Sequence, residues 1–294
     1  MQKPKIYDCF CYFNEDMLLT LRLETLWDTV DYFVISEANY SHSGNDRKTL
    51  FNINNFSKYT KKIRYLRLDE RPAGENDFWK NENFIRNNIS KGLFDAQPND
   101  LILISDLDEI PNPAVIHSYE PEFLRGDFSQ RYYSYFFNNF WIGDVNKKDS
   151  IIPKSNIWQG SKITTFCYFT TFFNSNATSV RSYKSTGLLR ALKRKWFKRF
   201  RTQTFPNGGW HFTWIFSIDD LIKKIENTAH QEFNQPKFKD PNHIKHMIKN
   251  GRDFHKPNSR YVIQSIDDSY PAHLVKNQHL YRKYILSRDK NTLL

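Results

Sequence analysis

Cysteine is scarce in this chain, long apolar runs are missing, and one long stretch has no acidic residue at all. Three cysteines in 294 residues, Cys9, Cys11 and Cys167, are too few and too oddly numbered for a disulfide framework. Cys9 and Cys11 would share a strand face, but a lone C-x-C without a second pair is a poor zinc signal. Buried free thiols in a reducing compartment are the expectation. No apolar run approaches the roughly 20 residues that span a bilayer, and no signal-peptide core follows Met1 to Lys5. A soluble or peripheral protein of the cytoplasm, at most resting on the inner face of a membrane, is therefore expected. Asp and Glu are missing from Ser150 to Ile218, a stretch that carries eleven Lys and Arg and leaves 32 basic against 32 acidic residues elsewhere. The formal charge of +11 thus belongs to one segment. A basic, aromatic-rich chain invites a nucleic-acid reading, but the neutral remainder has little to track a phosphate backbone and no recognised module. Nucleic acid is set aside as a partner.

What is present is ring surface: 25 Phe, 16 Tyr and 7 Trp, far too much for a disordered chain. Ile6 to Phe13 reads as a strand ending at Asn14, Glu15 and Asp16. Leu19, Leu23, Leu26, Trp27 and Val30 follow at helical spacing, and Tyr32 to Ile35 is a short strand closing on Ser36 and Glu37. Lys62 to Leu68 alternates as a strand, Phe78 to Leu93 reads as a helix, and Leu101 to Ile104 is an apolar run of the kind covered on both faces. Strands alternating with helices predict an α/β fold, a Rossmann-like, mostly parallel sheet flanked by helices. Ligands of such sheets bind beyond the carboxyl ends of the strands. Asn14, Glu15, Glu37 and the residues after Ile104 are accordingly the ones to inspect.

After Ile104 comes Ser105-Asp106-Leu107-Asp108-Glu109-Ile110-Pro111. Two carboxylates at the mouth of a buried strand repel and raise each other's pKa, a penalty that a divalent cation removes. Oxygen ligands suit Mg²⁺ or Mn²⁺, which bridge carboxylates to substrate phosphates. The plain alternative is an acidic turn that starts a helix.

At these residues the chain resembles glycosyltransferase family 17. The resemblance is carried by Tyr7-Asp8-Cys9-Phe10 with Phe13-Asn14-Glu15, by Leu19 with Arg22-Leu23, by Val30 to Ile35 with Glu37 and Ser43-Gly44, and by Ile104 to Pro111. Gly208-Gly209-Trp210-His211-Phe212 and Ala229-His230 with Glu232 complete it, so that it covers about residues 6 to 232 in the family's order. It implies a GT-A type fold and an inverting, metal-dependent transfer of a sugar, N-acetylglucosamine, from a UDP-sugar to a glycan hydroxyl. The acceptor would be a glycan or lipid-linked glycan. Asp106 and Asp108 would hold the metal and the donor diphosphate, with Asn14, Glu15 and Glu37 beside the nucleotide. Arg86 would neutralise phosphate, unless it only pairs with Glu82 one helical turn away.

In the second half, Gly208 and Gly209 permit close backbone approach, Trp210 offers a face for sugar stacking, and His211 is either a third metal ligand or a core histidine. Glu109, Asp144, Glu232 and His230 are the candidates for the base that takes the acceptor proton, with Glu232 as the nominal choice and Glu109 also a candidate to bind the donor sugar. Ser217 to Asn227 reads as a capped helix. The organisation expected is one glycosyltransferase domain over 1-240, including a basic segment at 184-201, and a C-terminal helical cap over 241-294. Arg190 to Arg201 packs seven cations into twelve residues beside an apolar stripe. It is read as a surface for anionic membrane, as a solvated loop, or as a grip on an acidic glycan. Two other functions fit the same pattern: a catalytically silent glycan-binding domain, and a sugar-phosphate nucleotidyltransferase. The latter would need a glycine-rich phosphate loop after the first strand, where Phe13-Asn14-Glu15-Asp16 stands instead.

Overall fold

The computed structural model describes residues 3–145, 151–152, 157–184 and 201–287. Most of the basic segment, residues 185–200, lies outside them, and so do the readings attached to it.

The first half folds as the alternating pattern predicts. Strand β1 (Ile6–Cys11), helix α1 (Asp16–Leu26), β2 (Tyr32–Ala38) and β3 (Ile63–Leu68) are followed by helix α2 (Phe78–Asn87) and β4 (Leu101–Ile104). These four strands are parallel, in the order β3-β2-β1-β4. The chain therefore steps outward from β1 through β2 to β3, then returns to β1's other side. The β1/β4 boundary is the point where strand order reverses, and there the carboxyl ends diverge into a crevice. The helix expected over Phe78 to Leu93 tightens after Asn87 into a 3₁₀ stretch, Asn88–Leu93.

Beyond β4 the sheet changes character. Short β5 (Glu109–Pro111) and helix α3 (Pro113–Ile116) lead to β6 (Arg125–Ser134), β7 (Asn139–Val145), β8 (Ile151–Ile152) and β9 (Ile157–Thr165). Helices α4 (Phe166–Thr171) and α5 (Ala177–Ser182) precede the long strand β10 (Thr202–Thr213), which is followed by α6 (Ile218–Asn227). The rest comprises α7 (Pro241–Lys249), β11 (Ser259–Ile263) and α8 (Ala272–Lys276). Strands β9, β6, β7 and β11 continue the sheet antiparallel to their neighbours, while β10 runs parallel to β6 and antiparallel to β5. The sheet is thus mixed, its parallel part largely the β3-β2-β1-β4 half. The C-terminal extension is more than the expected helical cap, because β11 supplies an edge strand that pairs with β7.

Burial follows the sequence pattern. All four residues of β4 are buried, as a strand covered on both faces requires. On one face Phe10, Leu19, Leu23, Phe33 and Leu103 form the main core; on the other Tyr7, Val34, Ile102 and Phe169 pack together. Ser217 caps α6 as the motif predicts, its side chain accepting from Asp220 N at 3.2 Å. The thiols are free, with Cys9 buried, but Cys167 is exposed rather than buried.

Candidate active site

A cavity of about 330 Å³ opens over the ends of β1, β2 and β4. Asp106 and Asp108 line it, together with Glu15, Arg86, His211, Lys224 and His230. It lies where strand order reverses, and the acidic loop forms its floor.

That loop is pinned from beneath. Arg22, on α1, is fully buried and makes a bidentate pair with Asp8 of β1 at 2.7 and 2.6 Å. Its remaining donors reach the carbonyls of Asp106, Leu107 and Glu109, each at 3.0 Å, and the Ser105 hydroxyl. Five protons in a planar fork suit this cluster of acceptors. With its carbonyls held below, the loop turns the Asp106 and Asp108 side chains up into the cavity.

Asp106 sits between two arginines: Arg86 Nη2 at 3.1 Å from Oδ1 and Arg181 Nη2 at 2.9 Å from Oδ2. Burial works against its ionised form, yet these cations hold its carboxyl well below the usual range. Of the two roles weighed for Arg86, the pair with Glu82 is present, the same nitrogen reaching it at 2.5 Å. Asp108 stands 3.5 Å from His211 Nε2. Burial again opposes charge there, and His211 and Lys224 keep the carboxyl below its ordinary pKa. Glu15 carries the opposite balance: burial raises its pKa although Lys224 bonds it at 3.1 Å.

Several predicted residues belong elsewhere. Glu37 is fully buried, and its two oxygens accept from Arg47, from the backbone N–H groups of Leu50 and Phe51, and from Tyr65. That carboxylate has no capacity left for a nucleotide. Glu109, also fully buried, accepts from the N–H of Asp106, from Trp158 Nε1 at 2.7 Å and from Arg181 at 2.6 and 3.1 Å. A carboxylate so committed holds the loop in place and is no base for an acceptor hydroxyl. Trp210 is on the wrong face: strand alternation turns His211 into the cavity and Trp210 to the opposite side, where its Nε1 donates to Ser269 O at 2.8 Å. Asn14 is exposed with a positive φ of 63°, a turn residue beside the cavity that does not line it. Asp144 accepts from Ser259 at 2.7 Å where β7 meets β11, outside the cavity wall. His230 and Glu232 do come together, 2.7 Å apart and half exposed at the rim, with His230 lining the cavity.

Three residues here escaped the sequence reading. Lys224 was hidden as a polar position of an ordinary amphipathic helix. Arg181 stands in the acid-free stretch, whose lack of local partners was itself a signal that its cations find acids elsewhere. Trp158 offered no signal.

Among the described residues no three His, Cys, Asp or Glu side chains converge as a ready-made metal cage. The donor chemistry of Asp108 and His211 still fits a divalent cation. Among the described residues that line the cavity, Glu15, Glu82, Asp106 and Asp108 stand with Arg47, Arg86, Lys224 and Lys256. His211 Nδ1 is buried without a hydrogen-bond partner and its Nε2 faces Asp108. Asp108 and His211 would hold Mg²⁺ or Mn²⁺ as two protein ligands, with water and phosphate oxygens left to complete the set.

Residues 1–144 match the family described as Glycosyltransferase family 17. The chain is 24% identical over 298 residues to rat beta-1,4-mannosyl-glycoprotein 4-beta-N-acetylglucosaminyltransferase, an alignment covering 93% of this chain and 53% of the rat protein. The human protein of the same name is 33% identical over 107 residues, covering 33% of this chain and 20% of its own length. The chain therefore spans about half the length of the rat relative. Among solved structures, the 2-C-methyl-D-erythritol 4-phosphate cytidylyltransferase of Francisella tularensis superposes with a TM-score of 0.35 at 13% identity, over 76% of this chain and 100% of that one. A TM-score that low identifies neither fold nor function. The motifs from Tyr7 to Pro111 agree with the family match, and the matched residues 1–144 carry the acidic loop.

Proposed function

We propose that this protein is an inverting glycosyltransferase that moves N-acetylglucosamine from a UDP-linked donor to a hydroxyl of a mannose-containing glycan, with Mn²⁺ or Mg²⁺ bound at the acidic loop. The observation that carries the reading is the placement of Asp106 and Asp108 beside His211, in a cavity at the strand-order reversal of the segment that matches family 17. A cation held by Asp108 and His211 would act as a Lewis acid on the departing diphosphate.

The other groups divide the remaining work. Arg86 and Arg181 bring positive charge to the donor phosphates, and Lys224 offsets charge at the side nearest Glu15. The acceptor hydroxyl needs a base on the far side of the donor sugar. Of the four candidates, Glu109 is saturated and Asp144 lies outside the cavity wall, which leaves the His230–Glu232 pair. In this reading His230 takes the proton and Glu232, bonded to Nδ1, orients the ring. Its lowered pKa, caused first by that hydrogen bond, keeps Glu232 ionised for the task.

The test is donor turnover. Wild-type protein with Mn²⁺ is expected to bind and slowly hydrolyse UDP-N-acetylglucosamine, and Asp108→Ala to lose both. Undiminished binding and turnover in Asp108→Ala would sink the metal assignment. A protein that holds glycans but never turns over any nucleotide sugar would instead be a silent binding domain.

A further inference from the structure

Seven tryptophans are present, and the one in the glycine motif faces away from the cavity. Trp158 is different. It lies on β9 in the wall of the cavity and is 41% exposed, a large exposure for an indole inside a pocket. It is also fixed. Its Nε1 donates to the buried Glu109 carboxylate at 2.7 Å, and Arg181 holds that carboxylate from the other side. Its ring packs against His211 with centroids 4.8 Å apart and against Tyr132 at 5.8 Å.

An exposed aromatic group is costly in water, and most indole N–H groups that find partners do so with the ring buried. Here the N–H is anchored inward while part of the ring remains outward, so a flat apolar surface is held in one orientation next to the Asp108–His211 pair. The apolar face of a pyranose matches such a surface. Position separates this surface from a nucleobase site, because Trp158 belongs to the antiparallel half of the sheet, across the cavity from the carboxyl ends of β1 and β2.

We propose that Trp158 is the stacking platform for a neutral pyranose of the acceptor glycan, with Glu109 as the positioning residue that sets the indole plane. This rests on the glycosyltransferase reading and deepens it by assigning the acceptor side of the pocket. The role the sequence offered to Trp210 passes to a residue on another strand.

The experiment has two arms, both read as binding. In the first, calorimetry measures UDP-N-acetylglucosamine with Mn²⁺ in wild type, Trp158→Ala and Trp158→Phe. In the second, the same proteins with UDP and Mn²⁺ are passed over immobilised mannose-containing N-glycan cores and their N-acetylglucosaminylated forms. Trp158→Ala is expected to weaken glycan capture about tenfold, equivalent to about 1.4 kcal/mol, with donor affinity changed less than twofold. Trp158→Phe, which keeps a ring but loses the Glu109 bond, is expected to fall between, and it keeps the test open if the alanine variant is unstable. Equal capture by wild type and both variants overturns the proposal, as does a wild type that captures no glycan. A loss in the donor arm that exceeds the loss in the glycan arm also overturns it and makes the indole a nucleotide contact. If wild type binds no donor, the glycosyltransferase reading itself falls.

Discussion

Replacing Arg22 with methionine tests how the acidic loop is built. The substitution keeps much of the apolar stem and removes the guanidinium. Asp8 would then be a buried carboxylate without its partner, and the carbonyls of Asp106, Leu107 and Glu109 would each lose a donor. Breaking a buried ion pair from one side costs about 3–5 kcal/mol. An unsatisfied buried acceptor adds about 1–3 kcal/mol, but the losses share one cavity and do not sum. Taking only the ion-pair figure, and about 2–4 °C per kcal/mol for a domain of this size class, the thermal midpoint should fall by roughly 6–20 °C. Circular dichroism melts of the wild type, Arg22→Met and Arg22→Met/Asp8→Leu provide the assay. The double variant removes the stranded charge and should recover part of the loss, while the carbonyls remain unpaired. A single variant that melts within about 2 °C of wild type would refute the argument that this one side chain supports the loop.

Other outcomes follow from the same geometry. Gly209 has a φ of +128°, and an added Cβ would come within 2.2 Å of Ile110 O and 2.7 Å of Asn112 N, both backbone atoms. Gly209→Ala should therefore push β5 from β10 and cost about 3 kcal/mol or more, read as a lower urea midpoint; an unchanged midpoint would mean the strands separate freely. Asp253 is buried and pairs with His255 at 2.6 Å; burial opposes its charge, but His255 and two backbone N–H groups hold its pKa below the ordinary 3.8. A depressed carboxylate stabilises the fold above its unfolded pKa and loses that contribution as pH falls through the folded one. Stability measured from pH 6 down to about pH 3 should thus fall less steeply in Asp253→Asn than in wild type, and parallel curves would remove the assignment. Glu37→Gln should destabilise the protein by about 1–3 kcal/mol, through loss of charged hydrogen bonds, while UDP affinity holds; a selective loss of UDP affinity would return Glu37 to the binding site.

The sequence and the structure agree most closely where neighbours in sequence are neighbours in space. The strand–helix alternation from Ile6 to Ile104 and the acidic loop after a fully apolar strand were legible because periodicity and local turn chemistry determine them. The same rule of alternation could have separated Trp210 from His211, since adjacent strand residues cannot share a face. Glu37 and Glu109 were misread for a different reason. Their saturating partners, Arg47, Tyr65, Trp158 and Arg181, lie 10 to 72 residues away. Nothing near a carboxylate in sequence says whether its lone pairs are already taken.

By itself, then, the sequence determined the parallel α/β half, the position of Asp106 and Asp108 at a strand end, the resemblance to family 17, and the confinement of excess charge to one segment. Only the tertiary structure decided which acids are free to act. Charge and hydrogen-bond capacity are settled by long-range partners: Arg22 beneath the loop, Arg86 and Arg181 beside it, Lys224 across it. The choice of Trp158 over Trp210 was likewise decided by the sheet, which brings a distant strand to the cavity and turns the motif's own tryptophan away.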